Sequence, residues 1–174
     1  MIKHHIRTIP DHPKKGIMFR DITTLLKSPE GFREAVDSLA AHFRDERIDK
    51  VVGIEARGFI FGAAIAYRSG LGFVPMRKKG KLPAETVGHD YALEYGADRI
   101  EVHLDALRRG DRILIIDDLL ATGGTAEAAA TLVERVGAVV AGCGFVVDLP
   151  ELGGRRRLEG RGWPVFALCE FEGE

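Results

Sequence analysis

The chain has 174 residues, enough for one domain with a full apolar core. With 45% hydrophobic and 29% charged residues it has a globular composition, which excludes a disordered or fibrous chain. Its formal net charge of −1 excludes a global field that would recruit nucleic acid or an acidic membrane, so an anionic ligand must be caught by local clusters.

Taken in chain order, "MIKHHIRTIP" lacks the apolar core and cleavage site of a secretory leader. No later apolar run approaches the ~18 residues of a membrane span, so a cytoplasmic protein without a membrane contact is expected. Residues 28–46 read as an amphipathic helix. Phe32, Ala35, Val36, Leu39, Ala40 and Phe43 share one face, Ser28 is placed as N-cap and Pro29 opens the first turn. "KVVGIEARGFIFGAAIAYRSG" predicts a short strand (Val51–Ile54), a turn and a nearly all-apolar helix ending at Gly70, and "GFVPM" is the next strand.

Residues 77–96, "RKKGKLPAETVGHDYALEYG", break the rhythm. They are polar, hold one Pro and three Gly, and exceed the usual connection of ~2–6 residues, so a functional lid loop is expected. "RILIIDD" is a strand apolar on both faces at Ile113–Ile116, as in a parallel strand covered by helices. The following helix packs Ala129, Leu132, Val133 and Val136 on one face, and "AVVAGCGFVV" and "PVFAL" supply two more strands. The class is α/β, with a mostly parallel central sheet flanked by helices.

Cys143 and Cys169 sit in apolar runs at a spacing that excludes a CxxC pair, and are expected as buried free thiols of a reducing compartment. The six histidines show no metal-ligand spacing and are expected at the surface or in packing, and Arg155–Arg157 as an exposed face.

In such sheets ligands sit beyond the carboxyl ends of strands. "EARGF" (Glu55–Phe59) and "DDLLATGGT" (Asp117–Thr125) are turns of that type. Thr122 can cap the second helix, Gly123 and Gly124 permit close approach, and the amides from Ala121 to Thr125 form an anion site with the helix dipole. "TGGT" alone is equally well explained as a helix start that needs small residues. It is neither a P-loop nor a dinucleotide fingerprint. Asp117 and Asp118 add acceptors for vicinal hydroxyls. A monophosphate a few ångströms from a diol, a ribose 5-phosphate, suits the whole string.

These motifs resemble the type I phosphoribosyltransferases. The set "FRDIT" (19–23), "GIEARGFIFG" (53–62), "RKKGKLP" (77–83), "LEYG" (93–96) and "DDLLATGGT" (117–125) is similar to the adenine-specific members, over nearly the whole chain. The resemblance implies a single domain over 1–174, with a small N-terminal hood at about 1–30 and a long flexible catalytic loop at about 77–96. It implies transfer of ribose 5-phosphate from phosphoribosyl pyrophosphate to adenine, giving AMP and pyrophosphate. Mg²⁺ would be held mainly by the cosubstrate rather than by protein ligands, and a homodimer is implied.

By residue, the resemblance implies that Asp117, Asp118, Ala121, Thr122, Gly123, Gly124 and Thr125 bind the phosphoribosyl group. Arg57, also catalytic, would join Arg77, Lys78 and Lys81, with Lys79 beside them, on pyrophosphate, although any charge run is ordinarily a solvated face. Glu94 would be the catalytic acid/base, with Glu101 a rival and a plain surface glutamate the alternative. Tyr95 would cover the site. Phe19 would stack on the base between Met18 and Arg20, unless it is ordinary core, and Asp21 would orient Arg20. Rival readings are a transferase for a 6-oxopurine and a sensor of phosphoribosyl pyrophosphate without turnover.

Overall fold

The apolar run Ile113–Ile116 lies at the centre of the molecule, with no residue of it more than 2% exposed. The computed structural model describes residues 1–93 and 95–173. A 3-10 turn (Ile2–His5) leads into an antiparallel pair, β1 (Arg7–Ile9) and β2 (Phe19–Asp21). Next come α1 (Thr23–Leu26), α2 (Pro29–His42), β3 (Lys50–Ile54), α3 (Gly58–Ser69) and β4 (Gly72–Lys78). An antiparallel ribbon of β5 (Thr86–Ala92) and β6 (Ala97–His103) precedes β7 (Arg112–Leu120), α4 (Gly124–Arg135) and β8 (Val139–Asp148). A 3-10 turn (Pro150–Leu152), α5 (Gly154–Glu159) and β9 (Val165–Glu170) complete the order.

Seven strands form a sheet in the order β5-β6-β4-β3-β7-β8-β9. It is parallel from β4 through β9 and antiparallel where β6 joins β4. The apolar run at 113–116 has no alternation because both its faces are covered. Ile113 and Ile115 pack with Val52, Met76 and, from α4, Leu132 and Val133. Leu114 and Ile116 pack with Leu39 of α2 and Phe61 and Ile65 of α3. Each such buried side chain contributes on the order of 1.5–3 kcal/mol.

The helix starts follow local chemistry. Ser28 caps α2, its hydroxyl accepting from Gly31 N at 3.1 Å, and Pro29 occupies the first turn. That helix ends at His42 rather than at 46, because Phe43 turns into the core and Glu46 N bonds back to Phe43 O instead. Gly70 closes α3 in the left-handed region, φ +67°.

The stretch at 77–96 departs from the expected long loop. β4 runs on to Lys78, and Thr86–Ala92 is strand β5, paired residue by residue with β6. Its side chains do not alternate cleanly between core and solvent, so period-2 patterning is missing, while Thr86, Val87 and Tyr91 were the available strand signal. The ribbon extends past the end of β4, since Lys78 pairs with Ile100 and Ala92 with Ala97.

Cys143 is fully buried, which pushes its thiol up to about 12. Cys169 is only half-buried, against expectation, and donates to Val146 O, with its thiol at about 11 for the same reason. Neither is a reactive thiolate. No helix of the described residues is long and apolar enough to cross a membrane.

Candidate active site

After β3 the chain passes through α3 to β4 on one side, and after β7 through α4 to β8 on the other. The two adjacent parallel strands therefore open a crevice at their carboxyl ends. Gly58 lets the start of α3 close against β7. A Cβ there would lie 2.7 Å from Ile116 O and 3.0 Å from Asp117 Oδ1.

On the β7 side, Asp117 and residues 119–126 line a cavity of about 120 Å³ at the head of α4. The helix begins at Gly124, and the residue preceding it is Gly123 at φ +83°. Thr122 is not the cap expected of it and makes no side-chain capping bond. The N-cap position falls to Gly123, which has no side chain to cap with, and Thr122 stays exposed beside first-turn amides that have no intrahelical partners. A larger cavity of about 360 Å³ lies at the opposite, amino-terminal end of the strands, between α2 and α3 near Leu114. It contains none of the candidate groups.

The two acids differ in environment. Asp118 is buried and accepts from Arg57 Nε at 2.5 Å, which raises the Arg57 guanidinium above its ordinary range. Asp117 borders the cavity, and its Oδ1 accepts from Asp118 N at 2.8 Å. Burial first, and the neighbouring Asp118 charge second, hold its carboxyl well above the usual value. Such a group gains from any ligand that brings positive charge or hydroxyl donors.

The basic cluster is partly pre-neutralised. Arg77 Nη2 donates to Glu55 Oε1 (2.8 Å), and Lys78 N donates to Glu55 Oε2 (2.9 Å). Burial alone would raise the Glu55 carboxyl, but these donors outweigh it and the net shift is downward. Lys78 Nζ pairs with Asp98, which raises the ammonium. Lys79 and Lys81 are exposed and make no ion pair among the described residues. Glu55, which holds Arg77 and the Lys78 amide, was passed over in the sequence although it opens the quoted "EARGF".

Glu94 lies outside the described residues. Glu101, its rival, is buried on β6 and committed elsewhere. It accepts from Thr86 Oγ1 (2.8 Å) and Gly80 N (2.7 Å), which lowers its carboxyl. The ribbon end instead exposes Leu93 and Tyr95, the latter by 83%.

Near the N-terminus, Phe19 is half-buried rather than core, with His12 edge-on at 5.0 Å, and Met18 is exposed. Asp21 does not orient Arg20. It pairs with Arg7 (2.5 and 3.1 Å), because Arg7 is its register partner across β1–β2. Arg20 donates to Thr8 Oγ1 (2.7 Å) and Glu172 O (2.8 Å) and lies 4.5 Å above the Phe171 ring.

Arg155–Arg157 is not simply an exposed face. Arg155 reaches the fully buried Asp148, and Arg157 pairs with Glu127 on α4. Asp148 ends the apolar strand β8, and that position was its signal, whereas Asp117 lies within β7, which runs on to Leu120 rather than turning at Asp117 as expected.

Residues 21–166 match the family model of the phosphoribosyl transferase domain. An adenine phosphoribosyltransferase of Nitrosospira multiformis is 63% identical over 99% of this chain and 98% of its own length. The chain belongs to the adenine phosphoribosyltransferase family. An adenine phosphoribosyltransferase of Thermoanaerobacter pseudethanolicus has a solved structure that is 50% identical, with a TM-score of 0.93 over 98% of each chain. That of Saccharomyces cerevisiae, complexed with D-2,5-dideoxy-2,5-imino-altritol 1,6-bisphosphate and adenine, is 40% identical, with a TM-score of 0.90 over 97% of this chain and 96% of that one. The mostly parallel, helix-flanked sheet is the type I phosphoribosyltransferase fold of these relatives.

Proposed function

We infer that the chain transfers ribose 5-phosphate from phosphoribosyl pyrophosphate to adenine, giving AMP and pyrophosphate. One observation carries the reading: a cavity of about 120 Å³ at the head of α4, bordered by Asp117, and the Arg57–Asp118 pair beside it share one crevice, in a chain of this family. The amides from Ala121 to Thr125, with the Thr122 and Thr125 hydroxyls, hold the 5-phosphate. Asp117 and Asp118 accept from the ribose hydroxyls. The hood residues Met18, Phe19 and Arg20 receive adenine, with the half-exposed Phe19 ring as the stacking face.

N9 of adenine forms the new bond to C1 of the ribose as the bond from C1 to pyrophosphate oxygen breaks, and the N9 proton passes to a base, the role given to Glu94. Arg57, Arg77, Lys78 and Lys81 face the departing pyrophosphate charge. Among the described residues, Asp117 alone puts a carboxylate at the cavity, which fits a Mg²⁺ ion carried mainly by the cosubstrate rather than held by a set of protein ligands. When bound, the ion neutralises pyrophosphate charge.

The exposed Leu93 and Tyr95 at the ribbon end support a lid that covers the crevice and excludes water. Ile60, Ala63 and Tyr67 make an exposed stripe at i, i+3 and i+7 of α3, which supports a homodimer. The whole chain acts as one domain, and two unpaired cysteines fit a reducing cytoplasm.

Initial rates with Mg²⁺ and phosphoribosyl pyrophosphate, compared across adenine, hypoxanthine, guanine and xanthine, test the reading. AMP formation confined to adenine is expected. Turnover of an oxopurine overturns the base assignment while keeping the phosphoribosyl site.

A further inference from the structure

The anion loop has a second layer behind it, made by the segment after β8. Leu149 N donates to Leu120 O (2.9 Å) and Gly154 N to Ala121 O (3.1 Å). The Arg157 guanidinium reaches Thr122 O at 3.5 Å. There is no spare room between the layers. A Cβ on Gly154 would lie 2.4 Å from Ala121 O and 3.0 Å from Gly123 N, and one on Gly123 would meet Gly154 Cα at 3.0 Å. Backbone touches backbone behind the amides assigned to the phosphate.

An ion pair closes this segment. Asp148, 0% exposed, accepts from Arg155 Nε at 2.9 Å, and Arg155 Nη1 donates to Val165 O at 3.2 Å. The guanidinium thereby ties the end of β8, the start of α5 and the start of β9 together. Asp148 Oδ1 is buried without a partner among the described residues. A buried, half-satisfied carboxylate is a poor source of stability, because apolar replacements of such pairs are often neutral or stabilising. What the pair does supply is a fixed place for residues 153–157.

We propose that Asp148, Arg155 and Gly154 are positioning residues: they hold the amides of 121–125 in the geometry that the 5-phosphate requires, without touching it. This rests on the function proposed above and extends it to a layer behind the site. A loop set in advance loses little freedom on binding. The 5-phosphate is bound alike before and during bond exchange, so loosening its loop weakens binding and raises KM while leaving kcat in place.

The test compares the wild-type chain with Gly154→Ala, Arg155→Met and Arg155→Lys. It uses calorimetric titration with ribose 5-phosphate, KM for phosphoribosyl pyrophosphate, kcat with adenine and Mg²⁺, and thermal melting. Gly154→Ala and Arg155→Met are expected to raise both the Kd of ribose 5-phosphate and the KM by about tenfold or more, with kcat within about threefold of wild type. Arg155→Lys, which keeps a charge beside Asp148 but loses the fork that also reaches Val165, recovers part of the loss. Folded variants with wild-type ribose 5-phosphate affinity overturn the proposal. So does a fall in kcat at constant KM, which reports only a smaller folded fraction. If the first two variants fail to fold, Arg155→Lys decides by the same two quantities. A wild-type chain that binds no ribose 5-phosphate overturns the function itself, an outcome distinct from variants that bind as well as wild type.

Discussion

Arg57 Nε lies 2.5 Å from Asp118 Oδ2, joining the turn after β3 to the end of β7 across the crevice. The acid is buried and the arginine about half exposed, its side chain 53% accessible. Nε is taken, while the terminal Nη groups make no hydrogen bond among the described residues. Asp118 therefore both loses its isolated charge and aims the free end of a fork donor at the crevice, where a phosphate oxygen can meet it. The Asp118 charge is thereby matched within the protein itself.

Arg57→Lys keeps the charge but has no planar fork to bond Asp118 and phosphate together. The expected loss in kcat/KM for phosphoribosyl pyrophosphate is about 10²-fold, the scale of one lost donor to developing charge. Steady-state kinetics check it, and a loss under about threefold would remove Arg57 from the site.

Asp117→Asn separates binding from stability. The folded carboxyl lies well above its ordinary 3.8, so the folded state holds a proton that the unfolded state has released once pH exceeds 3.8. Stability from this group is therefore present at low pH and lost as pH rises through the window above 3.8. Asparagine cannot ionise and still offers an oxygen to Asp118 N. The variant without ligand should melt higher than wild type at pH 7, by about 2–4 °C per kcal/mol relieved, while its KM for phosphoribosyl pyrophosphate rises about tenfold or more. Melting scans and kinetics on one preparation check both. A lower melting temperature with unchanged KM would contradict both.

Asp21 gives the opposite sign. Hydrogen bonds from the Thr23 hydroxyl first, then from Arg7, hold its carboxyl at about 2, below its ordinary 3.8. Its stabilisation is present above 3.8 and is lost as pH falls from there to about 2. Asp21→Asn should be less stable than wild type at pH 7, with the difference shrinking across that acid window. Melting curves at stepped pH check it. A difference constant with pH would rule out the ionised pair as its source.

Glu94→Gln and Glu101→Gln should part company. The first is expected to lower kcat by about 10²–10⁴-fold with little change in KM for phosphoribosyl pyrophosphate. The second removes a carboxylate that holds the Gly80 turn to Thr86, so it should lower the melting temperature and spare most of kcat. The reverse pattern would move the proton-handling role to Glu101.

What the sequence alone determined is what short stretches of chain decide for themselves. Apolarity without alternation at 113–116 marked a strand covered on both faces. Ser28-Pro29 and Gly70 marked helix ends, and the Gly-rich turn behind two acids marked the crevice. Each signal lies within one turn or one strand. Tertiary structure decided the rest, because it joins groups that local patterns cannot relate. Asp118 meets Arg57 from 61 positions away, and Asp21 takes Arg7 rather than Arg20 because strand register sets them opposite. The 86–92 segment is a strand only because β6 supplies its hydrogen bonds, and Arg155 turns inward only because β8 ends in a buried carboxylate. Backbone pairing and ion pairing depend on which chain segments come together, and strand order, register and helix placement in the folded chain set that.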